Sequence, residues 1–193
     1  MKTEYELRVL NINIEDIIEK CKSLNAKKIG SFHQKRFVYD FSPPTKGKWI
    51  RLRNDGFKST LAVKKIKSLN IDGTKELEII VSNFEDTAEV LKELGFEYRN
   101  YQENYRVEFC INDVNLDIDK WPMLNPFLEI EGPNETAIYN ILKLLKFEKE
   151  SITFEGVDSI YLKNGINLEA IKTLSFCDEE NESISHIEQL LEV

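Results

Sequence analysis

Pairs of like-charged residues, each separated by a single residue, are the features of this chain best suited to chemistry. The pairs are Glu4 and Glu6, Arg51 and Arg53, Glu76 and Glu78, Asp117 and Asp119, and Glu129 and Glu131. In an extended strand, successive side chains point to opposite faces, so both members of a pair share one face. Clustered carboxylates bind hard cations such as Mg²⁺ or Mn²⁺, whereas arginine and lysine clamp phosphate oxygens. Both kinds of site are available on these strand faces.

The face opposite each charged pair is apolar. In the first strand Glu4, Glu6 and Arg8 share the charged face, and Tyr5 and Leu7 lie on the opposite, apolar face. An ordinary surface strand has the same alternation, so a single stripe decides nothing. The stripe is repeated along the chain, and each like-charged pair is of one charge type, which favours a functional binding site over an ordinary surface. Two more cations join the charged faces, namely Lys64 and Arg106.

The elements that carry these stripes are predicted from the period of the apolar residues. After a first strand near residues 4–9, we expect strands over 28–41, 48–53, 59–66, 70–81, 98–109, 114–119 and 127–131. We expect helices over 14–24, 85–94 and 136–145, and short helices over 152–193 ending in an amphipathic one around 184–191. About eight strands, mostly antiparallel, with helices between them, favour an α+β barrel or strongly curved sheet.

The helices need apolar partners, and the apolar strand faces supply them. The charged faces then point inward and line a water-filled tunnel. Charges removed from bulk water need partners, so such a tunnel suits a polyanion that is bound together with cations. The chain has no Walker A sequence and no glycine-rich dinucleotide fingerprint, so side chains rather than a helix N-terminus would hold the phosphates.

Composition excludes other classes of function. The net charge is −8, from 26 Lys and Arg against 34 Asp and Glu, which argues against general binding of nucleic acid or anionic membranes. No segment approaches the apolar length of a membrane helix, and we expect a cytoplasmic protein. The three cysteines are scattered, which fits reduced thiols, and the two histidines are too few for a histidine metal site.

In order and spacing, these motifs resemble the CYTH superfamily, the triphosphate tunnel metalloenzymes. That superfamily includes class IV adenylyl cyclases, thiamine triphosphatases and inorganic triphosphatases. The matching motifs are Glu4-Tyr5-Glu6-Leu7-Arg8, Arg51-Leu52-Arg53, Lys64, Glu76 with Glu78, Asn104-Tyr105-Arg106, and Asp119 followed by Glu129 and Glu131. The resemblance implies an eight-stranded antiparallel tunnel with helices outside, within a domain over residues 1–150, and a helical extension over 151–193 packed on it.

The resemblance also implies roles for the charged residues. The metal, Mg²⁺ or Mn²⁺, would be held by Glu4, Glu6, Glu129, Glu131 and Asp119, with Glu76 and Glu78 in support. The phosphates would be held by Arg8, Arg51, Arg53, Lys64 and Arg106, and the catalytic group would be Glu4, Glu6 and Arg8. The chain departs from the family in three places. Arg8 replaces a lysine, Asn104 stands where lysine is common, and Arg36 stands where an acidic residue is common.

We therefore expect a metal-dependent hydrolase of inorganic triphosphate or of a nucleoside or thiamine triphosphate. Two alternatives stay open. One is a class IV-type adenylyl cyclase that converts ATP to cyclic AMP and pyrophosphate. The other is a module that binds triphosphate or polyphosphate without turnover, for which Arg8 and Asn104 would be the reason. The expected partner is a small triphosphate, with no nucleic acid or membrane, and the protein is expected to be a monomer or homodimer.

Overall fold

The computed structural model describes residues 1–147 and 151–192. The long strands are β1 (Lys2–Leu10), β2 (Lys27–Asp40), β3 (Lys48–Asn54), β4 (Ser59–Ile66), β5 (Thr74–Val81), β6 (Tyr98–Ile111), β7 (Val114–Lys120) and β8 (Phe127–Gly132). Two-residue strands follow as β9 (Ile152–Thr153) and β10 (Thr173–Leu174). The helices are α1 (Ile14–Ser23), α2 (Phe84–Glu93), α3 (Glu135–Leu145), α4 (Val157–Lys163) and α5 (Asp178–Glu192), with a 3-10 turn at Leu168–Ala170.

The long strands close into a barrel. Their order around it is β6, β2, β3, β4, β5, β1, β8 and β7, and β7 pairs back with β6. Every one of these neighbouring pairs is antiparallel. The predicted α+β fold, an eight-stranded antiparallel barrel with helices outside, is confirmed. The short β9 pairs with β1 and the short β10 pairs in parallel with β6, and neither was predicted from the sequence.

The largest apolar core lies between the outer face of the barrel and the helices. Leu7, Val107 and Leu116 from the strands are fully buried there. The helices contribute residues at helical spacing, namely Ile17, Ile18 and Cys21 from α1, Ile138, Ile141, Leu142 and Leu145 from α3, and Ile184 and Ile187 from α5. Burial of a leucine or isoleucine side chain contributes roughly 1.5–3 kcal/mol. Because these strand faces are taken by the core, the charged faces point into the barrel, as predicted.

A second apolar cluster joins the segment after β7 to the C-terminal part of the chain. Trp121 packs edge to face on Tyr161 of α4, with ring centroids 6.3 Å apart. The hydroxyl of Tyr161 donates a hydrogen bond to the carbonyl of Pro122 at 2.7 Å. Leu168 and Leu174 complete the cluster. The domain boundary expected after residue 150 adjoins residues 148–150, which lie outside the described residues, and it stays a prediction.

Local sequence signals explain how the elements begin. Asn13, Asn83 and Asn134 cap the first three helices, and each side-chain oxygen accepts a backbone N–H three residues later at 2.9–3.0 Å. Such caps stabilise a helix by about 1 kcal/mol. The turn between β3 and β4 uses the Asp-Gly step, with the Asp55 carboxylate accepting the N–H groups of residues 57 and 58 at 2.9 Å.

The start of β5 differs from the prediction. The strand begins at Thr74, four residues later than the expected residue 70. The intervening residues form a tight turn in which the N–H of Gly73 donates to the carbonyl of Asn70 at 2.9 Å. A Cβ at Gly73 would lie 2.0 Å from the carbonyl oxygen of Ser68, so only glycine fits the turn as built. None of the helices in the described part of the chain is long and apolar enough to cross a membrane.

Candidate active site in the tunnel

Positive and negative side chains lie on different parts of the tunnel wall, because the inner face of each strand carries mostly one sign of charge. Strands β2 and β3 are neighbours and present Arg36, Arg51 and Arg53 to the interior, with Arg36 and Arg53 directly opposite each other. Strands β1, β8 and β7 are also neighbours and present carboxylates, with Glu6 opposite Glu131 across the β1–β8 pair. The barrel thus brings an arginine wall and a carboxylate wall into one cavity.

The carboxylate wall contains a dense ion-pair network around two arginines. Arg8 of β1 pairs with Glu6 at 3.0 Å and also with Glu129. Arg106 of β6 pairs with Asp117, with Asp119 at 2.6 Å and with Glu129 at 3.0 Å. These groups are largely buried. In a site of low dielectric such pairs are strong only when each charge is compensated.

A second network joins β3, β4 and β5 to the start of β1. Its ion pairs are Lys64 to Glu4 at 3.0 Å, Arg51 to Glu76 at 2.9 Å, Arg51 to Glu78 at 2.9 Å, and Arg53 to Glu78 at 3.4 Å. Lys64 faces the interior, while its neighbour Lys65 is exposed on the outside. All of the residues predicted for the site therefore lie on the inner wall of one tunnel.

Burial and crowding shift the acidities of these groups. Burial raises the pKa of Glu4 to about 8, and a hydrogen bond with Glu76 adds to the rise. Burial also raises the pKa of Glu131, helped by the nearby charges of Glu129 and Glu6. The pKa of Glu129 is lowered, because Arg8 and Arg106 outweigh the effect of its burial. Neighbouring carboxyls of the tunnel thus have pKa values shifted in opposite directions.

On the other wall, positive charges crowd one another. The neighbouring guanidinium of Arg51, followed by burial, lowers the pKa of Arg53 to about 10. Burial lowers the pKa of Arg36, and Arg51, Arg53 and Arg106 lower it further. The guanidinium groups of this cluster repel one another, and a bound anion would offset that repulsion.

Sequence reasoning left Asp117 and Arg36, two buried charged residues, out of the predicted site. Asp117 is buried and pairs with Arg106, and its position two residues before Asp119 was the signal that could have included it. Arg36 is buried on the arginine wall, and its place in the alternation with Gln34 gave the same signal. An acidic residue is common at this position in the family that the motifs resemble, so the resemblance gives Arg36 no role in phosphate binding.

The carboxylates of β1 and β8 provide oxygen ligands for a divalent cation. Glu6 and Glu131 face each other with Glu4 and Glu129 nearby on the same two strands, so the donor oxygens are of the kind that Mg²⁺ and Mn²⁺ prefer. Burial raises the pKa of Glu131, the charges of Glu129 and Glu6 raise it further, and a cation would relieve that repulsion. In residues 1–147 and 151–192, however, no three such groups already stand in an arrangement that could hold a metal ion. The donor set fits by chemistry, and the predicted ligands stay a prediction.

The same architecture occurs in solved structures. The PH1012 protein of Pyrococcus horikoshii OT3 is 24% identical, with a TM-score of 0.70 over 79% of this chain and 96% of that one. A candidate adenylate cyclase from Vibrio parahaemolyticus is 16% identical, with a TM-score of 0.69 over 83% of this chain and 98% of the other. A candidate adenylyl cyclase from Hippeastrum with a dominant triphosphatase activity is 16% identical, with a TM-score of 0.57 over 86% and 97%.

At these identities the solved structures establish a common fold and no common activity. No curated protein matches the chain by sequence. The family model for the CYTH domain matches residues 2–158, which include every charged residue of the tunnel named above. The charged inner wall, the closed antiparallel barrel and this match agree, and the chain belongs to the CYTH domain family.

Proposed function

We propose that this protein is a metal-dependent hydrolase of triphosphate-containing substrates, acting on inorganic triphosphate or on a nucleoside or thiamine triphosphate. The observation that carries the proposal is the facing of an arginine wall and a carboxylate wall inside one closed barrel. A triphosphate carries several negative charges along a short chain, and a metal ion neutralises part of them. A cavity with both kinds of wall is complementary to that pair.

The arginine wall would bind and orient the phosphate chain. Arg51 and Arg53 of this wall, joined by Lys64 of β4 and by Arg106 from the carboxylate wall, offer several donors to phosphate oxygens. Glu76 and Glu78 pair with Arg51 and Arg53 and hold these two guanidinium groups in place before substrate arrives. Donors fixed in advance stabilise the charge that shifts toward the leaving phosphate without reorganising during the reaction.

The carboxylate wall would hold the divalent ion. The proposed ligands are Glu4, Glu6, Glu129, Glu131 and Asp119. CYTH triphosphate tunnel enzymes are metal-dependent in general. A bound Mg²⁺ or Mn²⁺ supplies Lewis-acid stabilisation of the charge on phosphate oxygens. Glu6 and Glu129 are now paired with Arg8, so their release from that arginine would accompany binding of the cation.

Arg8 would act through its charge and its contacts. Its guanidinium also donates a hydrogen bond to the carbonyl of Glu155 at 3.0 Å, which ties β1 to the segment after β9. The neighbouring carboxylates raise the pKa of Arg8 although its burial opposes them. An arginine held in this state cannot serve as a general base. Activation of water would therefore fall to the carboxylates.

The test is a product assay on the purified protein. Inorganic triphosphate, ATP and thiamine triphosphate would each be supplied with Mg²⁺, with Mn²⁺ and with a chelator, and the products resolved by chromatography. Metal-dependent release of inorganic phosphate supports the hydrolase and identifies its substrate. Cyclic AMP with pyrophosphate would replace the proposal with a cyclase. Tight binding of triphosphate without turnover would replace it with a binding module.

A further inference from the structure

Arg36 is a buried cation in the middle of the arginine wall that the predicted phosphate-binding set does not include. Only 8% of its surface is exposed. It lies opposite Arg53 on one side and opposite Gln102 on the other. A lone cation at this depth is costly unless a negative charge accompanies it.

The protein groups that contact Arg36 are neutral. Its Nη2 donates to Oε1 of Gln34 at 2.9 Å and to Oδ1 of Asn104. The guanidinium lies 4.6 Å from the ring centroid of Trp121. Its Nε is buried and has no hydrogen-bond partner among residues 1–147 and 151–192. Within the described ranges Arg36 forms no ion pair with a carboxylate, although seven tunnel carboxylates are paired with other cations.

Asp119, the carboxylate that Asn104 links to Arg36, already has other partners. The side-chain amide of Asn104 accepts from Arg36 and donates to Asp119 at 3.0 Å, so it stands between the two. Asp119 is in turn held by Nε of Arg106 at 2.8 Å and by Nη2 at 2.6 Å. Among the described residues, Arg36 therefore has no carboxylate in direct contact with it.

We propose that Arg36, together with Arg53 across the strand pair, forms an anion subsite that binds one phosphate group of the substrate. Two guanidinium groups on neighbouring strands can share the oxygens of one phosphate, which is the geometry that arginine forks favour. The ring of Trp121 supports one face of Arg36, while Gln34 and Asn104 fix Nη2 and so orient the side chain. This inference rests on the proposed function for the identity of the anion.

The experiment measures binding of inorganic triphosphate and of pyrophosphate by titration calorimetry and by thermal shift, with a chelator present so that no metal takes part. The variant is Arg36→Gln. Its matched control is Lys35→Gln, which removes the same charge from the next residue on the outer face, where Lys35 pairs with the exposed Glu85. We expect Arg36→Gln to weaken binding about 10- to 100-fold, because it removes charge-assisted hydrogen bonds. Lys35→Gln should bind as the parent does.

A purely structural role for Arg36 makes a different prediction. The unfolding midpoint would then fall without anion, while the rise in midpoint on adding triphosphate would stay as large as in the parent protein. That result, or equal affinity for Arg36→Gln and the parent, would overturn the subsite. Loss of the anion-induced rise supports it. Arg36→Lys keeps the charge without the planar fork and should bind at an intermediate strength.

The outcome is separable from that of the proposed function. Binding that depends on Arg36 in a protein that releases no phosphate would keep the subsite and end the hydrolase proposal. Phosphate release by a protein whose affinity is the same with Arg36→Gln would keep the hydrolase and end the subsite. Because Arg36 contacts Trp121, the anion-dependent change in tryptophan fluorescence, measured in a Trp49→Phe background, should also disappear in Arg36→Gln.

Discussion

Two lysines that are adjacent in sequence show how a single alternation separates function from surface. Lys64 points into the tunnel and pairs with Glu4 at 3.0 Å, whereas Lys65 is exposed outside the barrel. The two side chains have the same chemistry and differ only in the face of β4 that carries them. Removing the charge of Lys64 should therefore weaken the interaction with a negatively charged substrate, whereas removing the charge of Lys65 should not.

Replacement of these lysines tests the inner wall directly. We expect Lys64→Gln to lower kcat/KM for triphosphate hydrolysis by about 100- to 1000-fold, the size of effect seen when one stabilising donor is removed. Lys65→Gln should leave kcat/KM within about twofold. Steady-state phosphate release by both variants gives the comparison, and equal losses at the two positions would contradict the assignment of the inner face.

The carboxylates of β1 are the second test at the level of residues. The double variant Glu4→Gln, Glu6→Gln should lose metal-dependent hydrolysis, since two of the proposed ligand carboxylates become amides. Glu89→Gln with Glu93→Gln on the exposed face of α2 removes the same charge elsewhere and should retain it. Unchanged hydrolysis in the β1 variant over a titration of Mg²⁺ would end the metal assignment.

The separation of charge in the tunnel arises at the level of strands. Each inner face carries mainly one sign of charge, and the order of strands around the barrel places like faces together. Strand β5 links the two walls, because Glu76 and Glu78 lie beside Arg51. Strands β1 and β6 add one arginine each, Arg8 and Arg106, to the carboxylate wall. The position of β5 depends on the turn before it, and that turn depends on Gly73.

A methyl group at Gly73 tests this dependence. Gly73→Ala should lower the free energy of unfolding by about 1–3 kcal/mol, because the added Cβ would meet the carbonyl oxygen of Ser68 at 2.0 Å and force the turn to shift. It should also weaken triphosphate hydrolysis by moving Glu76 and Glu78. Gly156→Ala is the control, since no atom lies within 4 Å of its added Cβ. Urea denaturation measures both, and equal stability of the two variants would contradict the turn.

At the scale of the whole molecule, helices from both ends of the chain close over one side of the barrel. Ile184 and Ile187 of α5 share the large core with α1, and Cys21 of α1 is fully buried in it. Burial raises the pKa of the Cys21 thiol to about 12. Cys177, just before α5, is exposed.

The rate at which a disulfide reagent labels each cysteine tests whether the helices cover this core. At pH 8 the Cys21 thiol stays protonated, because the pH is far below its pKa of about 12, and it is also out of reach of a reagent. In a Cys110→Ser background, which removes the third and partly exposed thiol, a disulfide reagent should therefore label Cys177 rapidly and Cys21 only after unfolding in denaturant. With Cys177→Ser the rapid phase should be lost. Rapid labelling of Cys21 in the native protein, located by peptide mass spectrometry, would show that the helices do not cover this core.

The sequence by itself determined the alternation that divides each strand into a charged and an apolar face. The caps that the structure shows at Asn13, Asn83 and Asn134, and the Asp-Gly turn, are also local features of the sequence. These features depend on residues close together in the chain, so their period or motif is sufficient. The resemblance in motif order then led to the closed barrel and to the family.

Only the tertiary structure decided which charges meet. Arg106 and Glu129 are brought together because β6, β7 and β8 are neighbours in the closed barrel, and Arg8 reaches Glu129 because β1 pairs with β8. Within the described part of the chain, the lack of a carboxylate partner for Arg36 follows from the same closure, since Asn104 and Arg106 both bond to Asp119. Partners far apart in sequence are chosen by strand order and register, which no local pattern specifies.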